Sequence, residues 1–388
     1  MSGAGKRMAS GPPGPSPPLT KRGPANEAFD DLIDEDDMFN DDDMPEEYMP
    51  DAEEGSLAGA EPDLCEAGRN WLRPPVNNLQ PGCDALVFQQ LEVDYTVGRP
   101  RTDVWPTQAK QVPVVRMYGV NDAGNSVCVF VHGFEPYFFC ECPSHWVPEH
   151  YEELLQALRT HPRLMEGRGK GGLGVPPVTR VEAVQRADLW TYQGGRQKTY
   201  LRITVAMPNL VPAAKGALED GSLRIGGDPQ GLRLQTFEAN VIYALRFMVD
   251  TGMGGGSWVE LPAGSWRRVP QDQAATYCQI EAHVKWDRII VHPAEGEWSR
   301  IAPLRILSVD IECAGRKGHF PEASLDPVIQ IASLVTALGQ DKPLVRNILT
   351  LGTCAAIPGA EVMSFDNERD LLRRWTALVL ETDPDVII

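Results

Sequence analysis

One apolar run near the end of the chain contains two acidic residues: Leu304-Arg305-Ile306-Leu307-Ser308-Val309-Asp310-Ile311-Glu312-Cys313. Its aliphatic and β-branched residues predict a strand, and strand side chains alternate between two faces. Asp310 and Glu312 therefore project from the same face, together with Ile306 and Ser308. Two carboxylates this close cost stability unless a cation lies between them, and Mg²⁺ prefers such oxygen ligands. The run predicts a metal site at Asp310 and Glu312. The alternative is an acidic pair without a function at a solvent-exposed strand end.

The sequence around this run predicts a small α/β domain over residues 303–388. The patterns predict strands at 304–313, 328–336 and 344–352, with a short extended piece at 362–365. A helix is expected from Asn367 to about Glu381, with Asp366 as its N-cap and Leu372 among its inward-facing residues. The chain then re-enters a strand at Asp385. Three strands, a helix and a further strand make the opening half of a ribonuclease-H-like α/β domain.

The part of the chain from residue 69 to residue 302 has a different pattern. Short β-prone runs alternate with turn signals, and residues 121–125 form a turn-rich loop between two of these runs, which predicts a hairpin. Apolar residues at helical spacing predict helices over 148–158 and 237–249, the second with Leu245 and Val249 facing inward. These features predict an α+β N-terminal domain that is mostly antiparallel and has no repeat of fixed period.

The charge of the chain is concentrated at its beginning. The net charge is -18, of which residues 1–68 contribute -14 through eighteen acidic and four basic side chains. This composition cannot bury enough apolar area to offset the entropy of ordering, so a disordered tail is expected. The basic pairs Lys6-Arg7 and Lys21-Arg22 are either a bipartite nuclear-import signal or solvated charge. The acidic stretch either docks a basic partner or only solvates the tail.

Several classes of protein are excluded by what the sequence lacks. No run approaches the ~18 apolar residues of a membrane span, and the N-terminus has no apolar core of a secretion signal. Eight cysteines in 388 residues is ordinary usage for a reducing compartment. These features predict a soluble intracellular protein. The last residues, Asp383-Pro384-Asp385-Val386-Ile387-Ile388, look like the start of a buried strand, so a fragment cut inside a domain is expected.

Residues 308–318, SVDIECAGRKG, resemble the first exonuclease motif of family B DNA polymerases. The resemblance continues through Phe320-Pro321-Glu322 and the segment 326–331, DPVIQI. Segments farther upstream add to it: 88–94, 132–138, 201–206, 238–241, 246–251 and 260–264. The likeness extends from about residue 71 to the end of the chain, and together these segments are specific to the family.

The resemblance implies an activity and a cofactor. By the motif match, Asp310 and Glu312 are catalytic metal ligands of a 3′→5′ proofreading exonuclease, which hydrolyses phosphodiesters with two Mg²⁺ ions. The family also uses Mg²⁺ at its polymerase site and a cysteine-bound zinc or iron–sulfur cluster near its C-terminus. The residues for both, and the later exonuclease motifs, would lie beyond Ile388. The chain alone is therefore expected to be inactive in polymerisation and in proofreading.

The resemblance also implies partners and a location. A family member of this type is a replicative polymerase that works in the nucleus with template-primer DNA, the sliding clamp and accessory subunits, and no membrane partner is expected. Two other functions remain open from the residues. One is a non-catalytic interaction module made of the tail and the N-terminal domain. The other is a stand-alone 3′→5′ exonuclease, whose remaining motifs would follow within about another hundred residues.

Two further patterns are weaker candidates for a site. Cys140 and Cys142, with His132 and His145 nearby, have donor types that suit zinc, but their spacing is not that of a structural zinc site. We therefore expect buried thiols and surface histidines. Tyr192, Arg196, Lys198 and Tyr200 interleave basic and aromatic side chains, as a nucleic-acid-binding hairpin does, whereas inward packing of the aromatic rings is the favoured alternative.

Overall fold

The computed structural model describes residues 71–166, 172–187, 197–227 and 230–388. The predictions for the tail, residues 1–68, and for Tyr192 and Arg196 lie outside the described residues. The described ranges form three β-sheets, of seven, four and five strands. None of the helices in these ranges is long and apolar enough to cross a membrane.

The seven-stranded sheet is built from the first part of the described chain. Its strands are β1 (Leu86–Gly98), β2 (Val112–Val120), β3 (Ser126–His132), β8 (Trp258–Leu261), β9 (Trp266–Arg268), β10 (Ile280–Lys285) and β11 (Ile290–His292). Their order is β11-β8-β1-β2-β3-β10-β9, and every neighbouring pair is antiparallel except β3 and β10. The predicted hairpin is confirmed as β2 and β3. One face of this sheet carries a large apolar core that includes Phe88, Met117 and Trp266.

A helix that packs on this core differs from the prediction. The helix α4 begins at Tyr243 and ends at Thr251, whereas residues 236–237 form a short strand. Leu245 and Val249, which were expected to face inward, are 49% and 62% exposed. Tyr243 and Phe247 are buried instead, because two aromatic rings one helical turn apart bury more apolar area than the aliphatic residues do.

The four-stranded sheet follows a split β-α-β pattern. It contains β4 (Tyr137–Glu141), β5 (Val178–Ala187), β6 (Gln197–Val205) and β7 (Thr236–Phe237), in the order β5-β6-β4-β7. The helices α1 (Pro148–Thr160), α2 (Pro162–Glu166) and α3 (Val211–Glu219) enclose a second core on one face. On the other face Tyr200 is buried edge-on against Phe237, so this ring of the predicted hairpin packs inward.

The five-stranded sheet contains the acidic run as one of its interior strands. Its strands are β12 (Arg305–Cys313), β13 (Val328–Ala337), β14 (Val345–Leu351), β15 (Glu361–Phe365) and β16 (Val386–Ile387). Their order is β15-β14-β13-β12-β16, in which β12 is antiparallel to β13 and parallel to β16. The predicted strands are confirmed to within one or two residues. The chain end that was expected to start a strand pairs with β12 at Ile306 and Leu307.

The helix α5 (Glu368–Thr382) covers one face of this sheet, with Leu371 and Leu378 fully buried. Its N-cap is Asn367, whose side chain accepts a hydrogen bond from the backbone of Asp370, so the prediction of Asp366 was wrong by one residue. Leu372 was expected to face inward and is exposed instead. The helix buries one stripe only, since its opposite side has no neighbour among the described residues.

A buried charge network joins the five-stranded sheet to the start of the described chain. The guanidinium of Arg73 donates to the carboxylates of Asp383 and Asp385 and to the carbonyl of Gly124. Arg305, at the start of β12, donates its backbone N–H to Asp385 at 2.7 Å and its guanidinium to the carbonyl oxygens of Trp71 and Thr382. The side chains of Arg73 and Asp385 are each only 4% exposed. This network ties the start of β12 and the segment just before β16 to residues 71–73.

We expect the substitution Arg73→Met to lower the free energy of unfolding by about 3 kcal/mol, because it leaves a buried carboxylate at Asp385 without its cation. The measurement is urea unfolding of the chain followed by tryptophan fluorescence. The matched control is Asp103→Asn, which breaks the exposed pair of Arg101 and Asp103 and should cost at most about 1 kcal/mol. Equal losses in the two variants would contradict the importance of the buried network.

Candidate metal centre

Asp310 and Glu312 lie where the acidic run was predicted to place them, on one face of β12 near its end. The pairing partners of Asp310 and Glu312 on β13 are Ala332 and Gln330. Residues two apart along a strand are separated by about 6.7 Å, so both carboxylates can reach a common region above the sheet. The face that they share is the one that α5 does not cover, since Leu307 on the opposite face is buried under that helix.

Burial along β12 falls from its beginning to its end. Arg305 and Leu307 are buried, whereas Asp310, Ile311 and Glu312 are exposed. Asp310 also lines an open cavity of about 490 Å³, whose floor includes the small side chains of Ser308 and Ala332. The apolar part of the strand therefore anchors it in the sheet, and its end presents the two carboxylates to solvent.

The two carboxylates fit a hard divalent cation. Neither Asp310 nor Glu312 has a hydrogen-bond or salt-bridge partner within the described ranges, so their oxygen lone pairs are available. Oxygen ligands of this type are what Mg²⁺ accepts in proteins. A complete site is not assembled, because the described residues contain no group of three or more His, Cys, Asp or Glu side chains that could hold a metal ion.

Two features that the sequence pattern did not predict fix the end of β12 after Glu312: a β-bulge and the carboxylate of Asp326. Between Glu312 and Cys313 the pairing with β13 shifts by one residue, which is a β-bulge. The loop after the bulge is held by Asp326, whose buried carboxylate accepts hydrogen bonds from within the loop. The dipeptide Asp326-Pro327 is a turn signal that could have drawn attention to this position.

The residues of the zinc candidate are not brought together as a site. Cys140 is buried in the second core, the thiol of Cys142 lies 3.7 Å from the hydroxyl of Tyr151, and His145 is exposed. The fourth residue, His132, is buried and lies with its Nε2 atom 3.0 Å from Nδ1 of His283. The expectation of buried thiols is confirmed for Cys140, and that of surface histidines is wrong for His132.

The paired rings of His132 and His283 are uncharged at neutral pH. Burial, followed by the charges of His283 and Arg101, lowers the pKa of His132 to about 3. Burial and then Arg101 lower the pKa of His283 to about 4. The Nδ1 atom of His132 has no hydrogen-bond partner. Protonating either ring would place a cation in a buried site close to Arg101. In the folded chain both rings therefore stay uncharged at pH values at which they are protonated in the unfolded chain.

Three comparisons with known proteins agree with the predicted resemblance. Residues 234–388 match the family model described as the exonuclease domain of DNA polymerase family B. The DNA polymerase delta catalytic subunit of Arabidopsis thaliana is 42% identical, with coverage of 99% of this chain and 34% of that protein. The subunit of the same name from Bos taurus is 46% identical, with coverage of 82% of this chain and 28% of that protein. The chain spans about a third of the length of the curated relatives that it matches.

A solved structure is also similar to the chain. The family B DNA polymerase from the hyperthermophilic archaeon Pyrobaculum calidifontis aligns with a TM-score of 0.48 and 22% identity, and it covers 78% of this chain and 30% of that one. The family model and the curated relatives confirm the resemblance to family B DNA polymerases that the motif at 308–318 predicted. Asp310 and Glu312 lie inside the residues that match the exonuclease domain.

We expect the free energy of unfolding to fall as the pH is lowered from 6.5 towards 4. In the unfolded state both histidines bind protons from about pH 6.5. In the folded state His283 binds a proton only near pH 4 and His132 only near pH 3, so acid favours unfolding. The loss at pH 5 is roughly 2 kcal/mol for each histidine.

Urea unfolding at a series of pH values measures this loss. The double variant His132→Gln, His283→Gln should flatten the slope between pH 6.5 and pH 4.5. The control variant His145→Gln, at an exposed position, should keep the slope of the unsubstituted chain. An unchanged slope in the double variant would show that other groups carry the acid sensitivity.

Proposed function

We propose that this chain, whose sequence belongs with the family B DNA polymerases, is part of a replicative DNA-directed DNA polymerase with 3′→5′ proofreading activity, the polymerase delta catalytic subunit. The observation that carries the proposal is the position of Asp310 and Glu312. Both are exposed, on one face of the interior strand β12, within the residues that match the family B exonuclease domain. In this proposal the chain supplies the first half of the proofreading site.

The proposed domain organisation has three parts. Residues 303–388 would be the opening half of a ribonuclease-H-like exonuclease domain, residues 69–302 the N-terminal domain of the polymerase, and residues 1–68, which lie outside the described residues, a separate N-terminal segment. The topology of the five-stranded sheet supports the first assignment. Three successive antiparallel strands are followed by β15, which adds to the edge of the sheet parallel to β14. A helix comes next, and then a strand that returns beside the first strand in parallel.

In the proposed mechanism Asp310 and Glu312 hold divalent metal ions, for which Mg²⁺ is the proposed identity. When bound, these ions supply the activation of a water and the stabilisation of the leaving oxygen in phosphodiester hydrolysis. The chain contributes the position of the ligands. β12 is paired with β13 along its whole length and with β16 along its first half, so its two carboxylates are held at one spacing and on one face. The open cavity beside Asp310 leaves room for further groups on that face.

The proposal includes the partners and the location of a replicative polymerase. These are template-primer DNA, the sliding clamp and the polymerase delta accessory subunits, in the nucleus. The Mg²⁺ of the polymerase site and the C-terminal cysteine-bound cluster of the family would be held by other parts of the polypeptide. Support for this step comes from the names of the relatives and from the identity over nearly the whole of this chain.

In the full-length polymerase subunit, we expect Asp310→Asn and Glu312→Gln each to lower the exonuclease rate at least about 100-fold, because each removes a metal ligand. The rate is measured as release of the terminal nucleotide from labelled single-stranded DNA. Primer extension by the same preparation should be unchanged. The control Ser308→Ala alters the same face of β12 without removing a carboxylate. A full exonuclease rate in both carboxylate variants would refute the assignment of the site.

The chain of 388 residues by itself is expected to show neither exonuclease nor polymerase activity, because two carboxylates cannot fix two metal ions and orient a water. The purified chain is incubated with labelled single-stranded DNA and with a primed template, each with Mg²⁺ or Mn²⁺. Degradation that requires the metal and is lost in the Asp310→Asn variant would overturn this expectation. The variant also separates activity of the chain from that of a contaminating nuclease.

A further inference from the structure

The loop between β12 and β13 starts directly after the two candidate metal ligands. It contains residues 314–327, and it is closed at its base by a hydrogen bond of 2.9 Å from the backbone N–H of Ala314 to the carbonyl of Pro327. Its length and its closed base are those of an Ω-loop. Most of its residues are exposed, with the exception of Asp326, whose side chain is 0% exposed.

The buried carboxylate of Asp326 links different parts of the loop through hydrogen bonds. Its carboxylate accepts hydrogen bonds from the backbone N–H of Glu322 at 2.8 Å and from the backbone N–H of Arg316 at 3.1 Å. The guanidinium of Arg316 donates to it as well, at 3.2 Å, and reaches the exposed carboxylate of Glu322 with another nitrogen. A buried carboxylate with several donors is a strong constraint, because each donor would be left unpaired without it.

The constrained loop ends at the β-bulge that directly follows the pairing of Glu312 with β13. Glu312 pairs with Gln330 and Cys313 pairs with Val328, so Ile329 is the extra residue of β13. Val328 is also tied to the start of α5, where the carboxylate of Glu368 accepts its backbone N–H at 2.7 Å. Release of the loop base would let the pairing of the two strands fray back from the bulge towards Glu312, the last residue of β12 in regular register with β13.

We propose that Asp326 is a positioning residue for the proofreading site, which keeps the end of β12 paired with β13 and thereby holds Glu312 in place beside Asp310. This inference rests on the proposed exonuclease function. Asp326 does not touch the metal ions or the substrate. It acts through the loop, whose hydrogen bonds fix Pro327 and Val328 relative to Ala314 and Cys313.

The substitution Asp326→Asn tests the proposal, because it keeps the shape of the side chain and replaces one acceptor oxygen by a donor. Its matched control is Glu322→Gln, which makes the same change on the other, exposed carboxylate that Arg316 contacts. In the full-length subunit, we expect Asp326→Asn to raise the Mg²⁺ concentration for half-maximal exonuclease activity and to lower the maximal rate, each by about 10- to 100-fold. The Glu322→Gln control should stay within about twofold on the same scale.

The polymerase rate and its Mg²⁺ dependence are measured on the same preparations. We expect both to be unchanged by Asp326→Asn, which distinguishes a positioning role from general unfolding. If Asp326→Asn fails to fold, Arg316→Gln replaces it, because Arg316 is partly exposed. This variant removes the guanidinium that joins Asp326 to Glu322, and we expect it to shift the Mg²⁺ dependence in the same direction. An exonuclease with unaltered Mg²⁺ dependence in either folded variant would overturn the proposal.

A second readout does not depend on exonuclease activity. Mn²⁺ is titrated into the chain of 388 residues, and the broadening of the amide signals of Ile311, Glu312 and Cys313 is followed by nuclear magnetic resonance. We expect Asp326→Asn to weaken the Mn²⁺ affinity at these amides about tenfold, and Glu322→Gln to leave it unchanged. Equal affinity in the three proteins would refute the positioning role. Absence of exonuclease activity in the unsubstituted full-length subunit would refute the proposed function, while the titration would still decide the role of Asp326.

Discussion

Asp385 is a single buried carboxylate on which the five-stranded sheet depends. It accepts hydrogen bonds from Arg73 and from the backbone of Arg305, and its own backbone N–H donates to the carbonyl of Arg305. These contacts set the last strand, β16, beside β12 in one register. Over residues 305–309 β12 then has a partner on each side, and neither edge of this half is open to another chain.

The interior position of β12 explains how an apolar strand can present two charges. Its first half is covered by α5 and by the packing around Leu307, whereas its second half extends past the helix into solvent. Burial of the first half supplies the stabilisation, and exposure of the second half avoids the desolvation of Asp310 and Glu312. The first half of β12 therefore anchors the strand in the sheet, and its second half presents the two carboxylates to solvent.

The sequence was sufficient for the parts of the fold that depend on local pattern. Alternation of side chains located the strands of the sheet and the shared face of Asp310 and Glu312, and a motif identified the family. The failures have one cause, which is that packing between distant segments overrides local spacing. Leu245 and Val249 had the spacing of buried residues, but Tyr243 and Phe247 occupy the core instead. The bond between Arg73 and Asp385 links residues 312 positions apart, and no local pattern predicts such a pair.

The exposure of Asp310 and Glu312 has a consequence for how a complete site would assemble. In water their mutual repulsion is weak, so the half-site can exist in the folded chain without a cation. A segment that covered this face would lower the effective dielectric constant from about 80 to about 20, and the repulsion would rise about fourfold. Covering the face is then favourable only if a cation binds at the same time. If Asp310 and Glu312 hold a metal ion, covering this face and binding the cation would therefore be coupled.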